Sequence, residues 1–357
     1  MIKRIFAYTL AFTAAVTALP AIPVCIAWKD EETVSQPQLP DVSETADIPD
    51  ITEAAETEKT TSESEKPKNK VADEEFYRVL DVASGEVLEV PVTEYITGAV
   101  CAEMPASFEE EALKAQAVAA HTYAERQKMR ELENPSQELC GAYFSNDTNK
   151  YQGYYTEKQA KQVYGENYEE YYGKISDAVD EVAEYILTYE NEPIISAFHS
   201  MSSGMTESAE NTWGAPVDYL VSVDSSSDTD APKYREEVSY KKDELKKKLE
   251  QAFSGASLGD DCKKWITIGE ISDSGTVLTA DVGGIEATGG EIRTALALRS
   301  PCFEIDFEGD NVIFTTRGYG HGVGMSQYGA DAMAAEGSTW QEILEHYYPG
   351  CSITKIG

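Results

Sequence analysis

Residues 94–105 read Glu-Tyr-Ile-Thr-Gly-Ala-Val-Cys-Ala-Glu-Met-Pro, and residues 112–120 read Ala-Leu-Lys-Ala-Gln-Ala-Val-Ala-Ala. Apolar residues recur at helical spacing in both stretches, and Thr93 is suited to cap the first helix. Pro105 ends that helix, because proline has no amide hydrogen and its ring clashes with the preceding turn. The sequence therefore predicts two helices that meet at a corner, with Glu103 at the end of the first.

The second helix is predicted to begin at a capping box. Ser107 and Glu110 have the spacing at which each side chain bonds the backbone of the other residue. One face of this helix is small and largely apolar, which allows another element to approach closely. That face consists of Leu113, Ala117, Ala120, His121 and Ala124. Glu103 lies just before this helix, although a glutamate at a helix end is by itself most often an exposed residue.

The N-terminus contains an uncharged, mostly apolar run from residue 5 to residue 28. A helix of about 20 such residues spans the hydrocarbon core of a membrane, and two basic residues before the run favour a cytoplasmic N-terminus. We therefore expect residues 1–28 to be an uncleaved signal anchor with an extracytoplasmic body. A cleaved signal peptide is the alternative. A lipoprotein modified at Cys25 is less favoured, because the bulky Val24 precedes it.

Residues 29–74 are rich in Glu, Asp, Thr, Ser and Pro. Such a segment cannot bury enough apolar surface to offset its ordering entropy, so we expect a disordered acidic linker. The whole chain has 357 residues and a formal net charge of -35. This acidity argues against a nucleic-acid partner, which requires a basic surface.

The remaining residues, 75–357, predict one α+β region of helices and antiparallel hairpins. The predicted hairpins cover residues 76–92, 187–198, 265–282 and 303–316. The predicted helices after the first two cover residues 176–186, 241–253 and 291–298, with a last helix capped by Ser338 and Gln341. Residues 134–173 are tyrosine-rich and polar, and they are predicted to be irregular.

Two polar loops are candidates for a binding surface. Residues 199–208 read His-Ser-Met-Ser-Ser-Gly-Met-Thr-Glu-Ser, a hydroxyl-rich sequence that is also typical of an ordinary polar loop. Residues 317–330 read Arg-Gly-Tyr-Gly-His-Gly-Val-Gly-Met-Ser-Gln-Tyr-Gly-Ala, and their glycines allow other groups to approach closely. This second loop lacks the Gly-Lys-Ser/Thr ending of a phosphate-binding loop, and His321 has no second metal ligand at a suitable spacing.

Taken together, these separated motifs resemble the stage II sporulation protein D family. The resemblance rests on residues 94–124, on the Ser-Ser-Gly-Met-Thr-Glu segment at 202–207 and on the glycine-rich segment at 320–330. Trp213-Gly214, Tyr219-Leu220 and residues 293–300 agree with it in the same order. Several separated motifs in order are far more specific than any one of them.

The resemblance implies a membrane-anchored lytic transglycosylase of peptidoglycan. Such an enzyme cleaves peptide-stripped glycan strands between N-acetylmuramic acid and N-acetylglucosamine and leaves 1,6-anhydro ends. The resemblance further implies an α+β fold around a substrate groove, a role in septal wall degradation during engulfment in sporulation, and a location in the intermembrane space of the sporulating cell. The implied partners are a cell-wall amidase and an integral membrane protein, and no cofactor is implied.

Carried onto this sequence, the family's Glu-Met-Pro motif makes Glu103 the catalytic residue. The glycan-contact candidates implied by the resemblance are His121, Ser202, Thr206, Glu207, His321, Ser326, Gln327 and Tyr328. A glycoside hydrolase of the usual kind needs a second carboxylate, whereas in a transglycosylase the C6 hydroxyl of the substrate attacks the anomeric carbon. One carboxyl group that first donates and then accepts a proton is then sufficient.

The chain departs from the family pattern at several positions. His121 stands where many members have Arg, so a cationic contact with the lactyl carboxylate of the glycan becomes dependent on pH or is lost. Ser203 and Met205 also differ from the residues common at their positions. These departures keep a second hypothesis open, in which the protein is a non-catalytic glycan-binding or scaffold module that recruits or enhances a cell-wall amidase.

The cysteines add little to the functional prediction. Some members of the family hold a metal with Cys and His after the second helix, but only Cys140 stands there, so no metal is expected. Five cysteines lie outside the anchor, an odd number whose pairing the sequence does not determine. Cys101 is close to Glu103 in sequence, and a small buried thiol that packs a helix explains it better than a nucleophile does.

Overall fold

A computed structural model of the chain describes residues 75–356, which form an α+β structure of helices and small sheets. The predicted anchor at residues 1–28 and the predicted linker at residues 29–74 lie outside the described residues. Within the part that is described, no helix is long and apolar enough to cross a membrane.

The first hairpin has the predicted position. Strand β1 (Phe76–Leu80) pairs antiparallel with β2 (Val87–Pro91), with Phe76 opposite Pro91. Helix α1 (Val92–Glu103) follows β2 directly, so Glu103 is its last residue, as predicted. The predicted cap at Thr93 is wrong, because Pro91 occupies the capping position and no side chain caps the helix.

Helix α2 (Glu110–Glu133) lies at the centre of the larger core. Its predicted face is buried. Between Ala112 and Thr122 the residues on all sides of the helix are buried as well. The predicted capping box of Ser107 and Glu110 is wrong: Glu109 occupies the capping position without a side-chain cap. The amide of Glu109 instead donates to Asp331 Oδ1 at 2.7 Å, a partner more than 200 residues away that no local pattern reveals.

The tyrosine-rich segment is more helical than its composition indicates. After β3 (Phe144–Ser145), which pairs in parallel with β1, the chain forms α3 (Glu157–Tyr164) and α4 (Tyr168–Val182). The prediction of an irregular segment is therefore wrong in its second half, and the helix predicted from Ser176 to Ile186 is displaced. The ring of Tyr168 stacks on that of Tyr172 with centroids 5.0 Å apart. The tyrosines of this segment therefore stabilise α4 by packing on one another.

The next hairpin also has its predicted turn. Strand β4 (Tyr185–Tyr189) pairs antiparallel with β5 (Glu192–Pro193), and Glu190 and Asn191 between them both have positive φ angles. Strand β6 (Phe198–His199) then leads into the hydroxyl-rich loop and the short helix α5 (Ala209–Trp213).

A second, smaller hydrophobic core is built from residues between 238 and 314. It contains β7 (Arg235–Lys241), α6 (Lys242–Ala252), β8 (Ile266–Ile268), β9 (Ala280–Val282), β10 (Ile285–Ala287), α7 (Gly289–Leu296), β11 (Phe303–Glu308) and β12 (Asn311–Arg317). The strands form two three-stranded sheets, in the orders β10-β9-β8 and β11-β12-β7. The predictions of α6 and of the β11–β12 hairpin are confirmed within about two residues.

The chain then returns to the larger core. Strand β13 (Met325–Ser326) pairs in parallel with β6, and α8 (Gln327–Ala335), α9 (Trp340–Tyr347) and β14 (Ser352–Lys355) follow. Helix α8 has no counterpart among the predictions, because residues 317–330 are predicted to be a glycine-rich loop, and that loop includes the first four residues of the helix. The cap of α9 is Thr339 with Glu342, one residue after the predicted pair.

Candidate active site

Glu103 is a buried carboxyl group at the corner between α1 and α2. Its residue surface is only 4% exposed. Burial raises the pKa of Glu103 to about 8, because the charged form loses its hydration, and a hydrogen bond from the backbone of Gly153 opposes that rise. At neutral pH Glu103 is therefore mainly protonated and able to donate a proton.

Residues 152–155 cover this corner. The amide of Tyr155 donates to the carbonyl of Gly98 at 2.9 Å, in the middle of α1. Gly98 is required for that approach, since a Cβ at this position would overlap the carbonyl oxygen of Tyr155. Gly153 lies next to the carboxyl group, because a Cβ built on it would be 3.7 Å from Glu103 Oε1.

Two tyrosines interact electrostatically with Glu103. Tyr95 is on α1 and Tyr123 is on α2, and burial raises the pKa of both hydroxyl groups above their ordinary value. The Tyr123 hydroxyl accepts a hydrogen bond from the Gln152 amide at 3.1 Å. The surroundings of Glu103 are thus polar but uncharged, which favours a protonated carboxyl group.

Gln327 connects the glycine-rich segment to Glu103. Its Nε2 donates to the backbone carbonyl oxygen of Glu103 at 2.9 Å and lies 3.4 Å from Gln116 Oε1 on α2. Gln327 is 1% exposed and is the first residue of α8. The structure therefore brings the predicted residues Glu103 and Gln327 together, but through the main chain of Glu103.

Asp228 is a buried residue that sequence reasoning missed. Its carboxylate accepts hydrogen bonds from the Ser202 amide at 2.7 Å, from Ser225 Oγ at 2.9 Å and from Ser326 Oγ at 2.8 Å. Burial raises the pKa of Asp228, and these hydrogen bonds oppose the rise. The sequence around it reads as a Ser/Asp linker, and no local signal separates a buried acid from an exposed one there.

Glu207 is a second buried glutamate, and it belongs to another network. It accepts hydrogen bonds from Ser272 Oγ and Ser274 Oγ, both at 2.5 Å, from Asn211 Nδ2 at 2.9 Å and from the Ser208 amide at 2.8 Å. Burial alone would raise the pKa of Glu207, but these donors outweigh it and lower the pKa. Glu207 therefore joins the hydroxyl-rich loop to the second core as a carboxylate.

The other residues predicted in the hydroxyl-rich loop are hydrogen-bonded within the protein. Thr206 Oγ1 accepts a hydrogen bond from the Val223 amide at 2.9 Å, and the amide of Ser202 is bound to Asp228. Ser202 and Thr206 are both buried. The cleft between this loop, the glycine-rich segment with His321 and the second core has a volume of about 10 Å³, which is room for about one water molecule.

His321 lies beside His199 and Trp213, with ring centroids 5.8 Å and 5.7 Å away. Its Nδ1 accepts a hydrogen bond from the Val323 amide at 3.0 Å. Burial, and then the neighbouring His199 and Arg293, lower the pKa of His321 to about 3. His321 is consequently a neutral, partly buried ring at neutral pH.

His121 and Tyr328 have different surroundings. His121 is buried on α2, where its Nδ1 is 3.2 Å from the carbonyl oxygen of Tyr185 and its ring packs edge-on against Tyr77. Burial lowers its pKa to about 4, so it is neutral. Tyr328 is partly exposed, and its ring lies edge-on against Phe108 with centroids 5.0 Å apart. Of these two predicted contacts, Tyr328 has the more accessible position.

The described residues contain no group of three or more His, Cys, Asp or Glu side chains arranged to hold a metal ion. Among residues 75–356, none of the five cysteines forms a disulfide. Cys101 is buried on α1, which agrees with a packing role.

Comparison with known proteins gives a consistent result. The family model described as Stage II sporulation protein (SpoIID) matches residues 82–189. Stage II sporulation protein D of Bacillus subtilis (strain 168) is 39% identical over 280 residues, which cover 78% of this chain and 78% of that protein. The protein of the same name from Bacillus amyloliquefaciens is 38% identical over the same shares of both chains. A more distant relative, the amidase enhancer of Bacillus subtilis (strain 168), is 27% identical over 72% of this chain and 40% of its own length.

Proposed function

Because this chain belongs to the stage II sporulation protein D family, we propose that it is a lytic transglycosylase of the bacterial cell wall. The proposed substrate is a peptide-stripped glycan strand of peptidoglycan. The bond broken joins N-acetylmuramic acid to N-acetylglucosamine, and the product carries a 1,6-anhydro end. The proposed setting is septal wall degradation during engulfment in sporulation.

The observation that carries this proposal is the burial of the Glu103 carboxyl group, which favours its protonated form. A general acid works best when its pKa is close to the working pH, and burial raises the pKa of Glu103 to about 8. Burial causes the rise, with the Gly153 backbone opposing it, and neither cause is a second carboxylate. A single carboxyl group fits intramolecular attack by a substrate hydroxyl better than it fits hydrolysis by a pair of acids.

The proposed reaction needs only the proton of Glu103. The carboxyl group donates it to the glycosidic oxygen while the bond between that oxygen and the anomeric carbon breaks. The C6 hydroxyl of the same muramic acid residue then forms a bond to the anomeric carbon, and its proton passes to the Glu103 carboxylate. Glu103 is returned to its starting state, and water is not consumed.

Five of the eight predicted glycan contacts fall into two groups in this proposal. His321 and Tyr328 are partly exposed, so we propose that their rings face the glycan, although the Tyr328 hydroxyl is buried. Ser202, Thr206 and Ser326 are buried and bonded within the protein, and we propose that they shape the two loops. The predictions for His121 and Glu207 as glycan contacts remain untested, and the buried position of both favours a structural role.

We further propose that the N-terminal segment anchors the protein in the membrane and that the catalytic region lies outside the cytoplasm, in the intermembrane space. The proposed partners are a cell-wall amidase, which removes the stem peptides and so supplies the substrate, and an integral membrane protein. The distant relative named amidase enhancer supports a connection with such an amidase.

A second candidate function is a non-catalytic glycan-binding or scaffold module that enhances the amidase. The name of the same relative favours it. The 4% exposure of Glu103 favours it as well, since a glycan does not reach this carboxyl group without a rearrangement of the residues around it.

One experiment distinguishes the two functions. The full-length chain is incubated with peptide-stripped glycan strands, and the products are analysed by mass spectrometry. The transglycosylase proposal expects fragments with anhydro ends. Binding of the strands without such fragments would reject it in favour of the binding module, and fragments with ordinary reducing ends would indicate hydrolysis instead.

A further inference from the structure

We infer that Gln327 is a positioning residue, which holds the C-terminal end of α1 and thereby keeps the Glu103 carboxyl group away from water. The inference rests on the proposed function in one respect, namely that Glu103 is the acid. It assigns to Gln327 a different role from the glycan contact that the family resemblance implies.

The carbonyl group of Glu103 at the C-terminal end of α1 needs a hydrogen-bond partner from outside the helix. Glu103 is the last residue of α1, and the last four carbonyl groups of a helix have no partner within it. Buried carbonyl groups are nearly always hydrogen-bonded. Gln327 Nε2 supplies the bond at 2.9 Å. Because a carbonyl oxygen can only accept, the nitrogen of the Gln327 amide must face it, and a side chain without an N–H or O–H cannot replace this bond.

Gln327 is itself fixed by both neighbouring elements. On one side, Ser326 caps α8 by accepting from the Gly329 amide at 3.1 Å and donates to the buried Asp228 at 2.8 Å. On the other side, Gln116 Oε1 on α2 lies 3.4 Å from the same Nε2. The side chain therefore spans from the glycine-rich segment to α1 and α2, with its position determined at both ends.

The bond to the carbonyl group affects the carboxyl group because both belong to one residue. Without Gln327, the buried carbonyl oxygen needs water as its partner, and water that enters there also hydrates the side chain. The titratable groups that face Glu103 are Tyr95 on α1 and Tyr123 on α2, and both stay neutral up to high pH because their pKa values are raised. Hydration is then the variable that decides the protonation of Glu103.

A glycan contact would leave a different trace. Gln327 is 1% exposed, and its Nε2 already donates to the Glu103 carbonyl oxygen, so this nitrogen has its partner within the protein. Loss of a ground-state contact raises KM, whereas loss of correct positioning lowers kcat. Loss of positioning also moves the pH at which the general acid is deprotonated, and a glycan contact has no reason to do so.

The test uses Gln327→Met in the full-length chain. Methionine has a similar length but donates no hydrogen bond. We expect kcat for anhydro product formation to fall about tenfold or more with KM little changed. We expect the alkaline limb of the wild-type pH profile near pH 8, and we expect it to move to lower pH by about one unit or more in the variant. The matched control is Leu249→Ala in the second core, which disturbs a fully buried residue far in sequence from Glu103 and should leave the pH profile in place.

A change in KM alone, or an unchanged pH profile, would overturn the inference. If circular dichroism shows that Gln327→Met does not fold, Gln116→Met is used instead. It removes the acceptor Oε1 that lies 3.4 Å from Gln327 Nε2, and we expect a smaller shift of the pH profile in the same direction. Carbon-13 titration of the Glu103 carboxyl group gives a readout that does not need catalysis. If the wild type forms no anhydro product, the proposed function fails. If Gln327→Met does not change the titration midpoint of Glu103, the positioning inference fails, whatever the outcome for the function.

Discussion

Glu103 and Glu207 are two buried glutamates whose pKa values are shifted in opposite directions. Their exposures, 4% and 2%, are nearly equal. Burial raises the pKa of Glu103 to about 8, opposed by the backbone of Gly153. Burial also acts to raise the pKa of Glu207, but hydrogen bonds from Ser272, Ser274, Asn211 and the Ser208 amide lower it overall. The larger number of hydrogen-bond donors on Glu207 distinguishes this structural carboxylate from the proton donor Glu103.

The largest effect is expected on catalysis. Glu103→Gln removes the transferable proton but keeps the size of the side chain, so anhydro product formation should fall about 10²- to 10⁴-fold. The measurement is the product rate by mass spectrometry, with Glu210→Gln as control because Glu210 is exposed. Product that persists in Glu103→Gln would mean that another group is the acid.

The second effect is on stability as a function of pH. The folded pKa of Glu103, about 8, lies above the ordinary value of 4.5 expected in the unfolded chain. Its contribution to stability is fully present below about pH 4.5 and is lost as pH rises to about 8, by up to about 5 kcal/mol. Glu103→Gln has no such loss. The unfolding free energy of this variant, measured in urea, should therefore rise relative to that of the wild type as pH rises over this range. Parallel pH curves for the two proteins would contradict the raised pKa.

The third effect concerns the cover over Glu103. Alanine at Gly98 would overlap the carbonyl of Tyr155, and we expect a loss of about 1–3 kcal/mol in unfolding free energy despite the better helix propensity of alanine. Gly153→Ala is the matched control, since the nearest atoms to an added Cβ there lie 3.5–3.9 Å away. Equal losses in the two variants would argue against close packing of residues 152–155 on α1.

The smallest effect is expected for the other glutamate. Glu207→Gln loses one acceptor oxygen and should lower the unfolding free energy by about 1–2 kcal/mol at pH 7. Because the folded pKa of Glu207 is lowered, this contribution is present above the ordinary pKa and disappears as pH falls through the folded value. Urea unfolding at pH 7 and at acidic pH measures the difference. A loss that grows on acidification would contradict a structural carboxylate.

Local patterns in the sequence were sufficient for the elements that bear Glu103. The break at Pro105, the buried face of α2 and the turn at Glu190 and Asn191 all follow from neighbouring residues. The helix caps were less predictable, because tertiary partners such as Asp331 replace the local ones.

The surroundings of Glu103 could not be predicted in the same way. Gln327 and residues 152–155 come from distant parts of the chain, and nothing in their local sequence indicates that they meet Glu103 and Gln116. Asp228 has its partners Ser202 and Ser326 at separations of 26 and 98 residues. The family resemblance identifies which loops matter, whereas the distinction between a proton donor and a structural acid required the hydrogen bonds.

The most direct test of this account is a carbon-13 NMR titration of both carboxyl groups in the full-length chain, assigned with Glu103→Gln and Glu207→Gln. The account predicts a midpoint near pH 8 for Glu103 and a midpoint below 4.5 for Glu207. A midpoint for Glu103 near 4.5 would show an ionised carboxylate at neutral pH and would contradict its role as the acid.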